Sequence, residues 1–531
     1  MAGTPKSHHH HLTRKLLTKK TTISLLLIFL FNFIFFTYYS HHYPSLSSFN
    51  LHRNRRLHVT HSLEPPQLSF ASASKPWPIL PSYLPWTTPS PFLSSCEGFF
   101  GNGFNKTSTI LPRASSFAAN GNSSWFRCHF SGTLRSSICE GGRVMMDPSK
   151  IRMSIGGERI EEVIGRSDEE ELPVFEDGAF RLRRNGVGRK RPVGKKQPVK
   201  AVSKKFLDEN VDEGEIMKHT MRELFQSMEL VEDDADFQCS EWIEEPTLLL
   251  TRFEYANVFH TYTDWYSAYV SSRVTGLPTR PHVVFVDGHS KTQLEETWEA
   301  LFSSIRFAKN FTGPVCFRHA VFVPLGYETA WFKGLSQHID CRGASAKTLW
   351  ANPDDRKTAR LSEFGEMIKA AFDFPVDSPK RLKPSSEHNV LFVRREDYVA
   401  HPRHGGKVES RLSNEQEVFD SLKAWASNYS QCSVNLINGL FGHMPMREQV
   451  RAIEDASVII GAHGAGLTHV VSALPETVIL EIISSQFRRP HFQLISQWKG
   501  LNYHAINLSG SSANPAKVVE RLKRIMKSIG C

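Results

Sequence analysis

The sequence lacks the short motifs that would assign a chemistry by themselves. Its eight cysteines include no Cys-x-x-Cys pair, so zinc-ribbon and thioredoxin-like sites have no support. No loop has the Gly-Lys-Ser/Thr ending of a Walker A motif, and the full G-x-G-x-x-G dinucleotide fingerprint is absent. Only one apolar run is long enough to cross a bilayer, which excludes a polytopic membrane protein.

The length and composition indicate a mostly globular protein. At 531 residues the chain is too long for one ordinary hydrophobic core, so we expect two or three folded units. Hydrophobic residues make up 40% of the chain and charged residues 22%, which excludes wholesale disorder.

The net charge of +10 comes from two segments that contain no acidic residue. Residues 1–56 hold eight basic residues and residues 181–205 hold eleven, so the rest of the chain carries a net charge of −9. Because the foldable part is acidic, we expect no nucleic-acid partner. A nucleic-acid binder that uses residues 181–205 is the alternative, and its binding would depend steeply on salt.

The N-terminal region predicts a type II membrane protein. Residues 1–20 form a basic tail, and the nineteen uncharged residues 21–39 match the length of one transmembrane helix. Lysines directly before this helix place the tail in the cytosol and the rest of the chain in the lumen. A cleaved signal peptide is the alternative, but the residues that follow are not the small ones that cleavage needs. Residues 40–75 predict a flexible stem.

Two further features agree with a lumenal location. All eight cysteines follow the predicted membrane span, in what would be an oxidising compartment, and we expect some of them to form disulfides. Five Asn-x-Ser/Thr glycosylation sequons also follow it. They begin at Asn105, Asn122, Asn310, Asn428 and Asn507.

The rest of the chain predicts an α/β fold. Residues 76–180 contain three cysteines and many glycines, which indicates a small, loop-rich, disulfide-stabilised subdomain, and residues 181–205 predict a disordered basic insertion. Short apolar runs then alternate with amphipathic stretches. A proline-rich stretch divides this region into two doubly wound lobes, residues 206–385 and 386–531, which would face each other across a cleft.

A glycine-rich loop follows an apolar strand in the second lobe. Small residues let main-chain N–H groups approach a pyrophosphate, and the N-terminus of a following helix adds a favourable partial charge. A tight strand-to-helix turn with glycines for packing is the alternative. The candidate binding residues are Gly461, His463, Gly464, Ala465, Gly466, Leu467 and Thr468.

Two further strand ends in this lobe predict contacts to the same ligand. Arg394 and Arg395 close an apolar strand, and a guanidinium there would clamp a diphosphate. Ion pairs with Glu396 or Asp397 are the alternative. Glu481 lies on another predicted strand, where it would accept hydrogen bonds from ribose hydroxyls or serve only as a strand-end acid.

A second group of candidates lies in the first lobe. His260 and Asp264 are four residues apart and Asn257 precedes His260 by three, so a helix would place them on one face. A carboxylate that supports or replaces an imidazole is a suitable general base for a hydroxyl. A helix face with a hydrogen-bonded core histidine is the alternative. Asn257 and Arg252 are candidates for the cleft.

Metal-binding motifs have little support. Asp234-Ala-Asp236 spells Asp-x-Asp, but it lies in an acidic run and not directly after an apolar strand, so we expect a solvated loop. Arginines and a helix dipole are sufficient to neutralise a diphosphate. We therefore expect no metal site and no required cofactor.

Several long stretches resemble glycosyltransferase family 61, and in particular its plant members that process N-glycans. They are KPWPILPSYLPW, TRFEYANVFHTYTDWYSAYVSSRVTGLP, RPHVVFVDGH, VLFVRREDYVAHPRHGGKV and VRAIEDASVIIGAHGAGLTHVVSA. The resemblance extends from about residue 75 to Cys531. It implies a GT-B-like fold with two Rossmann-like lobes, a donor site mainly on the C-terminal lobe and no obligatory metal.

The resemblance also implies a reaction. A Golgi type II enzyme would transfer xylose from UDP-xylose to O2 of the core β-mannose of an N-glycan, with inversion. Its partners would be these two substrates, the Golgi membrane and, in oligomers, other Golgi transferases. A related family 61 pentosyltransferase of cell-wall xylan and a non-catalytic glycan-binding protein are the alternatives.

The candidate residues take their roles from this reaction. Arg394, Arg395, residues 461–468 and Glu481 become donor-site candidates. Inversion requires a single in-line displacement with one general base. Asp264 is the first candidate for that base, and His260 is the second.

Overall fold

The structure is a computed structural model that describes most of the chain after residue 102. The described residues are 103–113, 123–184, 199–211, 220–232, 235–277, 280–336, 359–376, 386–395, 405 and 410–531. They belong to the second of two compact units, Ser72–Cys531.

Several predicted features lie outside the described residues. They are the tail 1–20, the membrane span 21–39, the stem 40–75, most of the basic insertion, the sequon at Asn122, and Asp234. Within the residues that the structure does describe, no helix has the length and apolarity to cross a membrane.

The α/β composition predicted from the sequence is confirmed. The strands of the described residues are β1 (Lys106–Leu111), β2 (Trp125–Ser131), β3 (Ser136–Gly142), β4 (Val144–Met146), β5 (Ile151–Arg152), β6 (Val174–Phe175), β7 (Phe180–Arg183), β8 (Val199–Lys200), β9 (Glu229–Val231), β10 (Glu241–Ile243), β11 (Thr247–Leu250), β12 (His282–Phe285), β13 (Ile305–Phe307), β14 (Val315–Phe317), β15 (Ala320–Phe322), β16 (Glu387–Val393), β17 (Ser433–Gly439), β18 (Val458–Ala462), β19 (Val478–Ile483) and β20 (Asn502–Asn507).

Helices connect most of these strands. The α-helices of the described residues are α1 (Asp168–Glu171), α2 (Lys204–Asn210), α3 (Thr220–Ser227), α4 (Val258–Thr275), α5 (Glu295–Leu301), α6 (Ala330–Leu335), α7 (Leu361–Ala371), α8 (Glu415–Asn428), α9 (Met446–Asp455), α10 (His491–Lys499) and α11 (Pro515–Ser528). Short 3₁₀ helices include Ile160–Glu162, Gly326–Glu328, Phe441–His443 and Ala465–Ser472.

Two mixed sheets form the N-terminal part of the described chain. The first has the order β1-β2-β3-β15-β11-β12-β13, and the second has the order β10-β14-β4-β7-β9-β8. In the first sheet β15, β11, β12 and β13 run parallel, whereas β1, β2, β3 and β15 pair antiparallel. Both sheets combine strands from the segments 76–180 and 206–385, and the boundary between those segments stays a prediction.

A third sheet, β17-β16-β18-β19-β20, is parallel throughout. In chain order it reads 2-1-3-4-5, a doubly wound order whose winding reverses between β16 and β18. Val390 and Phe392 of β16 pack in one core with α8 and α11, whereas Leu391 and Val393 pack in another core with α9 and α10. Helices therefore cover both faces, as a parallel sheet requires.

Helix α4 lies between the N-terminal sheets and the C-terminal sheet. It begins after Asn257, whose side chain accepts a hydrogen bond from the N–H of Phe259 at 3.0 Å. It ends at Gly276, which has a left-handed φ of 68° that favours glycine. Every residue from Thr261 to Val274 is buried, so all sides of the helix are covered, as expected of a helix in the interior of a protein.

One continuous hydrophobic core joins the two parts of the molecule. It includes Val283 from the first sheet, Tyr266 from α4, Phe364 from α7 and Ile459 from the C-terminal sheet. At Gly365, helix α7 meets the Ala465–Ser472 helix so closely that a Cβ atom would lie 2.1 Å from the carbonyl oxygen of Val471. Glycine is therefore required at this contact.

Disulfides form among the described cysteines, as predicted. The pairs are Cys128–Cys139, Cys239–Cys316 and Cys432–Cys531, while Cys96 and Cys341 lie outside the described residues. The first pair joins directly opposed residues of β2 and β3. The third pair connects the end of α8 with the end of α11, and so ties together the helices on one face of the C-terminal sheet.

We expect the substitution Gly365→Ala to destabilise the fold, although alanine is usually the better helix residue. The added methyl group would overlap a main-chain oxygen, and such overpacking typically costs about 1–3 kcal/mol. Thermal unfolding should show a lower Tm. Gly510→Ala, where a Cβ atom would meet nothing within 4 Å, is the matched control and should leave the Tm unchanged. An unchanged Tm for Gly365→Ala would contradict the close contact.

Candidate active site

The C-terminal sheet predicts where a ligand binds. In doubly wound sheets ligands bind at the carboxyl ends of the strands, where the winding reverses. Here that place lies between β16 and β18. Arg394 and Arg395 directly follow β16, and His463 and Gly464 directly follow β18. Two adjoining cavities open at this edge, and Arg395 lines both.

The larger cavity has a volume of about 480 Å³ and lies between the N-terminal and C-terminal parts. A volume of this order is typical of small-molecule sites. Residues Ile160 and Glu161, Ala256 and Val258, and Thr292–Leu294 line it from the N-terminal part. Arg394, Arg395, Phe441–His443, Gln449, Gly466 and His469 line it from the C-terminal part.

The smaller cavity has a volume of about 110 Å³ and is rich in basic side chains. None of the described residues that line it is acidic. They are Asn257, Phe259, His260, Arg395, Arg411, His463, Gly464, Ala465, Phe487, Arg489, His491 and Phe492. Three arginines around so small a volume create a positive potential suited to a phosphate or diphosphate group.

The two arginines after β16 are positioned by helix α8. The main-chain N–H of Arg395 donates to both carboxylate oxygens of Glu415, at 3.1 and 3.3 Å. Nε of Arg394 lies 3.5 Å from the same carboxylate, and its guanidinium also donates to Gln416 at 2.7 Å. The alternative of ion pairs with Glu396 or Asp397 stays a prediction, because both residues lie outside the described part of the chain. Among the described residues, Glu415 on α8 is an acidic partner of Arg394.

The loop after β18 packs directly against Arg395. A Cβ atom at Gly464 would lie 2.5 Å from Nη1 of Arg395, so a side chain at this position would displace the guanidinium. Nδ1 of His463 lies 2.5 Å from Oε1 of Glu481, and the hydroxyl of Tyr503 donates to the other oxygen at 2.6 Å. Glu481 is fully buried. It therefore orients His463 and does not itself face a cavity.

His260 and Asp264 both lie on α4, but only His260 reaches a cavity. The imidazole of His260 stacks on the ring of Tyr327 with centroids 5.1 Å apart. Asp264 is 5% exposed and its Oδ1 accepts the N–H of Gly326 at 3.2 Å. Its Oδ2 has no hydrogen-bond partner among the described residues. Burial raises the pKa of Asp264 to about 8, although the Gly326 N–H and Arg252 oppose the shift.

Arg252 lies in the interior beneath these residues. Its guanidinium, 1% exposed, donates to Asp287 at 2.8 Å and to Glu295 at 2.6 Å. The remaining oxygen of Glu295 accepts the N–H and hydroxyl of Thr292, at 2.6 and 2.9 Å. Arg252 thus fixes the segment that begins at Thr292 and lines the larger cavity, and it does not contact either cavity itself.

The described residues hold one cluster of potential metal ligands, His388, Cys432 and Cys531. The two cysteines form a disulfide, and His388 lies near the amino end of β16, away from the cavities at the carboxyl end. Asp236 of the Asp-x-Asp sequence is exposed.

Comparison with known proteins identifies the family. The family model described as Glycosyltransferase 61 matches residues 217–480. This range includes the residues that line the two cavities, except Ile160, Glu161 and those after β19. A beta-1,2-xylosyltransferase of Arabidopsis thaliana is 59% identical over 94% of this chain and 96% of its own length. The chain belongs to glycosyltransferase family 61.

Two further relatives match different shares of the chain. A beta-1,2-xylosyltransferase of Oryza sativa subsp. japonica is 60% identical over 87% of this chain and 84% of its own length. An EGF domain-specific O-linked N-acetylglucosamine transferase of Gallus gallus is 24% identical over 50% of this chain and 45% of its own length.

Most of the predicted site residues of this family 61 chain come together. Asn257, His260, Arg395, His463, Gly464 and Ala465 line the smaller cavity, and Arg394, Arg395 and Gly466 line the larger one. Leu467, Thr468 and Glu481 are buried behind the loop, Gly461 lies within β18, and Arg252 and Asp264 line neither cavity.

Several cavity residues were not predicted from the sequence. Arg489 and His491 follow β19, so the rule that pointed to β16 and β18 would also have found them. Burial lowers the pKa of His491 to about 4, and the nearby His463 and Arg489 add to this effect. Arg411 precedes α8 and His469 lies in a 3₁₀ helix, and no sequence signal marks either residue.

We expect the buried carboxyl of Asp264 to make stability depend on pH. The folded protein keeps this proton up to about pH 8, whereas the unfolded chain releases it near 3.8, so this group lowers stability as pH rises between these values. Asp264→Asn replaces the neutral carboxyl with a neutral amide and removes this dependence.

The measurement is the free energy of unfolding of the unsubstituted chain and of the Asp264→Asn variant, at several pH values between 5 and 8. The variant should gain stability relative to the unsubstituted chain as pH rises, by up to about 1.4 kcal/mol per pH unit. The difference in free energy of unfolding between the two proteins at pH 5 serves as the internal reference. A difference that stays constant from pH 5 to 8 would contradict the raised pKa.

Proposed function

We propose that this chain is an inverting β-1,2-xylosyltransferase that transfers xylose from UDP-xylose to the core β-mannose of N-linked glycans. The observation that carries the proposal is the identity of 59–60% to two beta-1,2-xylosyltransferases over most of the chain. The basic cavity at the winding reversal of the C-terminal sheet supports a nucleotide-sugar donor.

The donor spans the two adjoining cavities. Its diphosphate lies in the smaller cavity, where Arg395, Arg411 and Arg489 supply positive charge and the Gly464–Ala465 segment allows close approach of the main chain. Its nucleoside occupies the larger cavity on the other side of Arg395. A doubly wound C-terminal sheet opposite a second sheet-containing part supports a GT-B-like architecture.

The transfer is one in-line displacement. The hydroxyl oxygen of the mannose bonds to C1 of xylose while the bond from C1 to the diphosphate oxygen breaks, and UDP takes the bonding electrons. A base removes the hydroxyl proton. His260 is our choice for this base because it lines the smaller cavity, whereas Asp264 is buried behind it. The geometry therefore favours His260 as the base, whereas the sequence placed Asp264 first and His260 second.

The charge of the leaving group requires no metal in this proposal. Three arginines line the smaller cavity, and they stabilise the charge that develops on the diphosphate as the glycosidic bond breaks. The Ala465–Ser472 helix begins at the same place, so its N-terminal N–H groups add to this effect.

The protein acts in the Golgi lumen as a type II membrane protein, associated with the membrane and in oligomers with other Golgi transferases. Exposure of Asn105, Asn310, Asn428 and Asn507 supports a secretory location, because each of these sequons is accessible for glycosylation.

The direct test is an activity assay. The purified full-length chain should add one pentose to an N-glycan that ends in N-acetylglucosamine when UDP-xylose is supplied, with EDTA present. Mass spectrometry detects the added pentose, and a β-xylosidase should remove it. Addition only with manganese would overturn the metal-free donor site. Addition to xylan oligosaccharides in place of the N-glycan would assign the chain to a cell-wall pentosyltransferase.

The choice of base has its own test. His260→Gln should lower kcat by roughly 10²-fold or more while UDP affinity stays within a few-fold, because only proton transfer is lost. Asp264→Asn should lower kcat less. His388→Gln, a matched change far from the cavities, should leave kcat unchanged. A larger loss of kcat in Asp264→Asn than in His260→Gln would make Asp264 the base.

A further inference from the structure

A series of hydrogen bonds leads from the interior of the C-terminal sheet to an imidazole in the wall of the smaller cavity. The hydroxyl of Tyr503 on β20 donates to Oε2 of Glu481 on β19 at 2.6 Å. Nδ1 of His463 lies 2.5 Å from the other oxygen, Oε1. The series therefore runs from Tyr503 through Glu481 to His463, and Nε2 is the ring nitrogen of His463 that it leaves for a ligand.

The carboxyl group of Glu481 accepts hydrogen bonds at both of its oxygens. Burial raises the pKa of Tyr503, and the charge of Glu481 adds to this effect, so the phenol keeps its proton and donates it to Oε2. The Nδ1 N–H of His463 donates to Oε1, the usual arrangement of an imidazole beside a carboxylate. Glu481 is fully buried, so it places a fixed negative charge behind the imidazole.

Nε2 of His463 is open to the smaller cavity. His463 lines this cavity, and its side chain is 9% exposed. No described residue makes a hydrogen bond to Nε2, and this atom is not closed off from solvent as Nε2 of His469 is. Because Nδ1 is directed to the buried Glu481, Nε2 is the polar atom that His463 presents to a ligand.

Two neighbouring imidazoles are neutral. Burial lowers the pKa of His469 to about 3 and the pKa of His491 to about 4, and the nearby His463 and Arg489 add to the effect on His491. The ring centroids of His463 and His491 lie 6.1 Å apart. Of these two rings, His463 is the one with a carboxylate among its described partners, so a positive charge in this pair resides on His463.

Basic groups from several segments share the cavity with His463. Their positive charges oppose a further charge on the ring, whereas Glu481 favours it. A bound diphosphate adds negative charge on the cavity side, so the ligand and Glu481 together favour the imidazolium form of His463. The basic groups are Arg395 after β16, Arg411 before α8, Arg489 and His491 after β19, and His260 on α4.

We infer that His463, as an imidazolium, donates a hydrogen bond from Nε2 to the β-phosphate of the leaving UDP. This inference rests on the proposed UDP-sugar donor. When the bond between C1 of xylose and the β-phosphate oxygen breaks, its electron pair stays on that oxygen. His463 stabilises the new negative charge and keeps its own proton, while the proton of the mannose hydroxyl goes to the base.

Glu481 and Tyr503 act as positioning residues for His463. Both lie outside the lining of the two cavities, and they act on the ligand only through the imidazole. Glu481 fixes the ring so that Nε2 faces the cavity, and its charge favours the protonated ring. His463 and Glu481 therefore have different expected signatures when they are substituted.

The test is a calorimetric titration of the full-length chain with UDP and with UMP, which differ by the β-phosphate. The unsubstituted chain should bind UDP about tenfold or more tightly than UMP. His463→Asn places an amide near the position of Nδ1, so Glu481 keeps a partner while Nε2 is removed. This variant should bind UDP about tenfold more weakly and UMP almost unchanged. Its kcat should fall roughly 10²-fold, with a smaller change in the KM for UDP-xylose, because the charge develops as the bond breaks.

The charge of Glu481 predicts a pH dependence. Glu481→Gln keeps an acceptor for the Nδ1 N–H but removes the negative charge that favours the imidazolium. In titrations between pH 5 and 8, the preference for UDP over UMP should fall about one pH unit or more lower in this variant than in the unsubstituted chain. Ionisation of the nucleotides is common to both proteins. A preference that falls at the same pH in both would overturn the charged role of His463.

His504→Asn is the matched control, since His504 lies on β20 and lines neither cavity, and it should change neither affinity. Thermal unfolding verifies that each variant is folded, and the pH comparison with Glu481→Gln decides the proposal if His463→Asn does not fold. A folded His463→Asn variant that loses UDP and UMP affinity equally, or keeps the full preference for UDP, would overturn the role of His463 alone. No binding of either nucleotide by the unsubstituted chain would overturn the proposed donor, and this role with it.

Discussion

The buried ion pairs of Arg252 hold together the parts of the molecule on which the site depends. Arg252 lies two residues after the end of β11, and its partner Asp287 lies two residues after the end of β12. Its second partner, Glu295, begins α5. A buried charge without a partner is strongly unfavourable, so these three elements are fixed relative to one another. Helix α4 begins a few residues after Arg252, and the position of His260 follows from this arrangement.

The two cavities differ in electrostatic character, and the difference follows from which loops line them. The smaller cavity receives basic side chains from the loops after β16 and β19 and no acidic residue among those described. The larger cavity combines apolar residues such as Val258 and Leu294 with Glu161 and the neutral His469. One ligand with a charged group and an uncharged heterocycle suits this division, and Arg395 lies where the two halves of such a ligand join.

The sequence predicted the C-terminal sheet well because the signal there is local. Apolar runs such as Val478–Ile483 are observed as strands, and the residues after β16 and β18 lie at the predicted edge. The burial of polar candidate residues could not be predicted from local sequence in the same way. Glu481 and Arg252 have the chemistry of ligand-binding residues, but Tyr503 and Glu295, distant in sequence, pair with them in the interior. Whether such a side chain faces a ligand or a buried partner depends on long-range packing, which local pattern does not encode.

The continuous core that runs through α4 restricts how the molecule moves during turnover. A hinge rotation that separated the two parts would expose Tyr266, Phe364 and Ile459 to water, and each large apolar side chain costs about 1.5–3 kcal/mol when it leaves a core. A rigid-body rotation of the two parts therefore has a high free-energy cost. Substrate entry and product release are accordingly expected to proceed by displacement of individual loops around the cavities, with the interior between the two parts staying closed throughout the cycle.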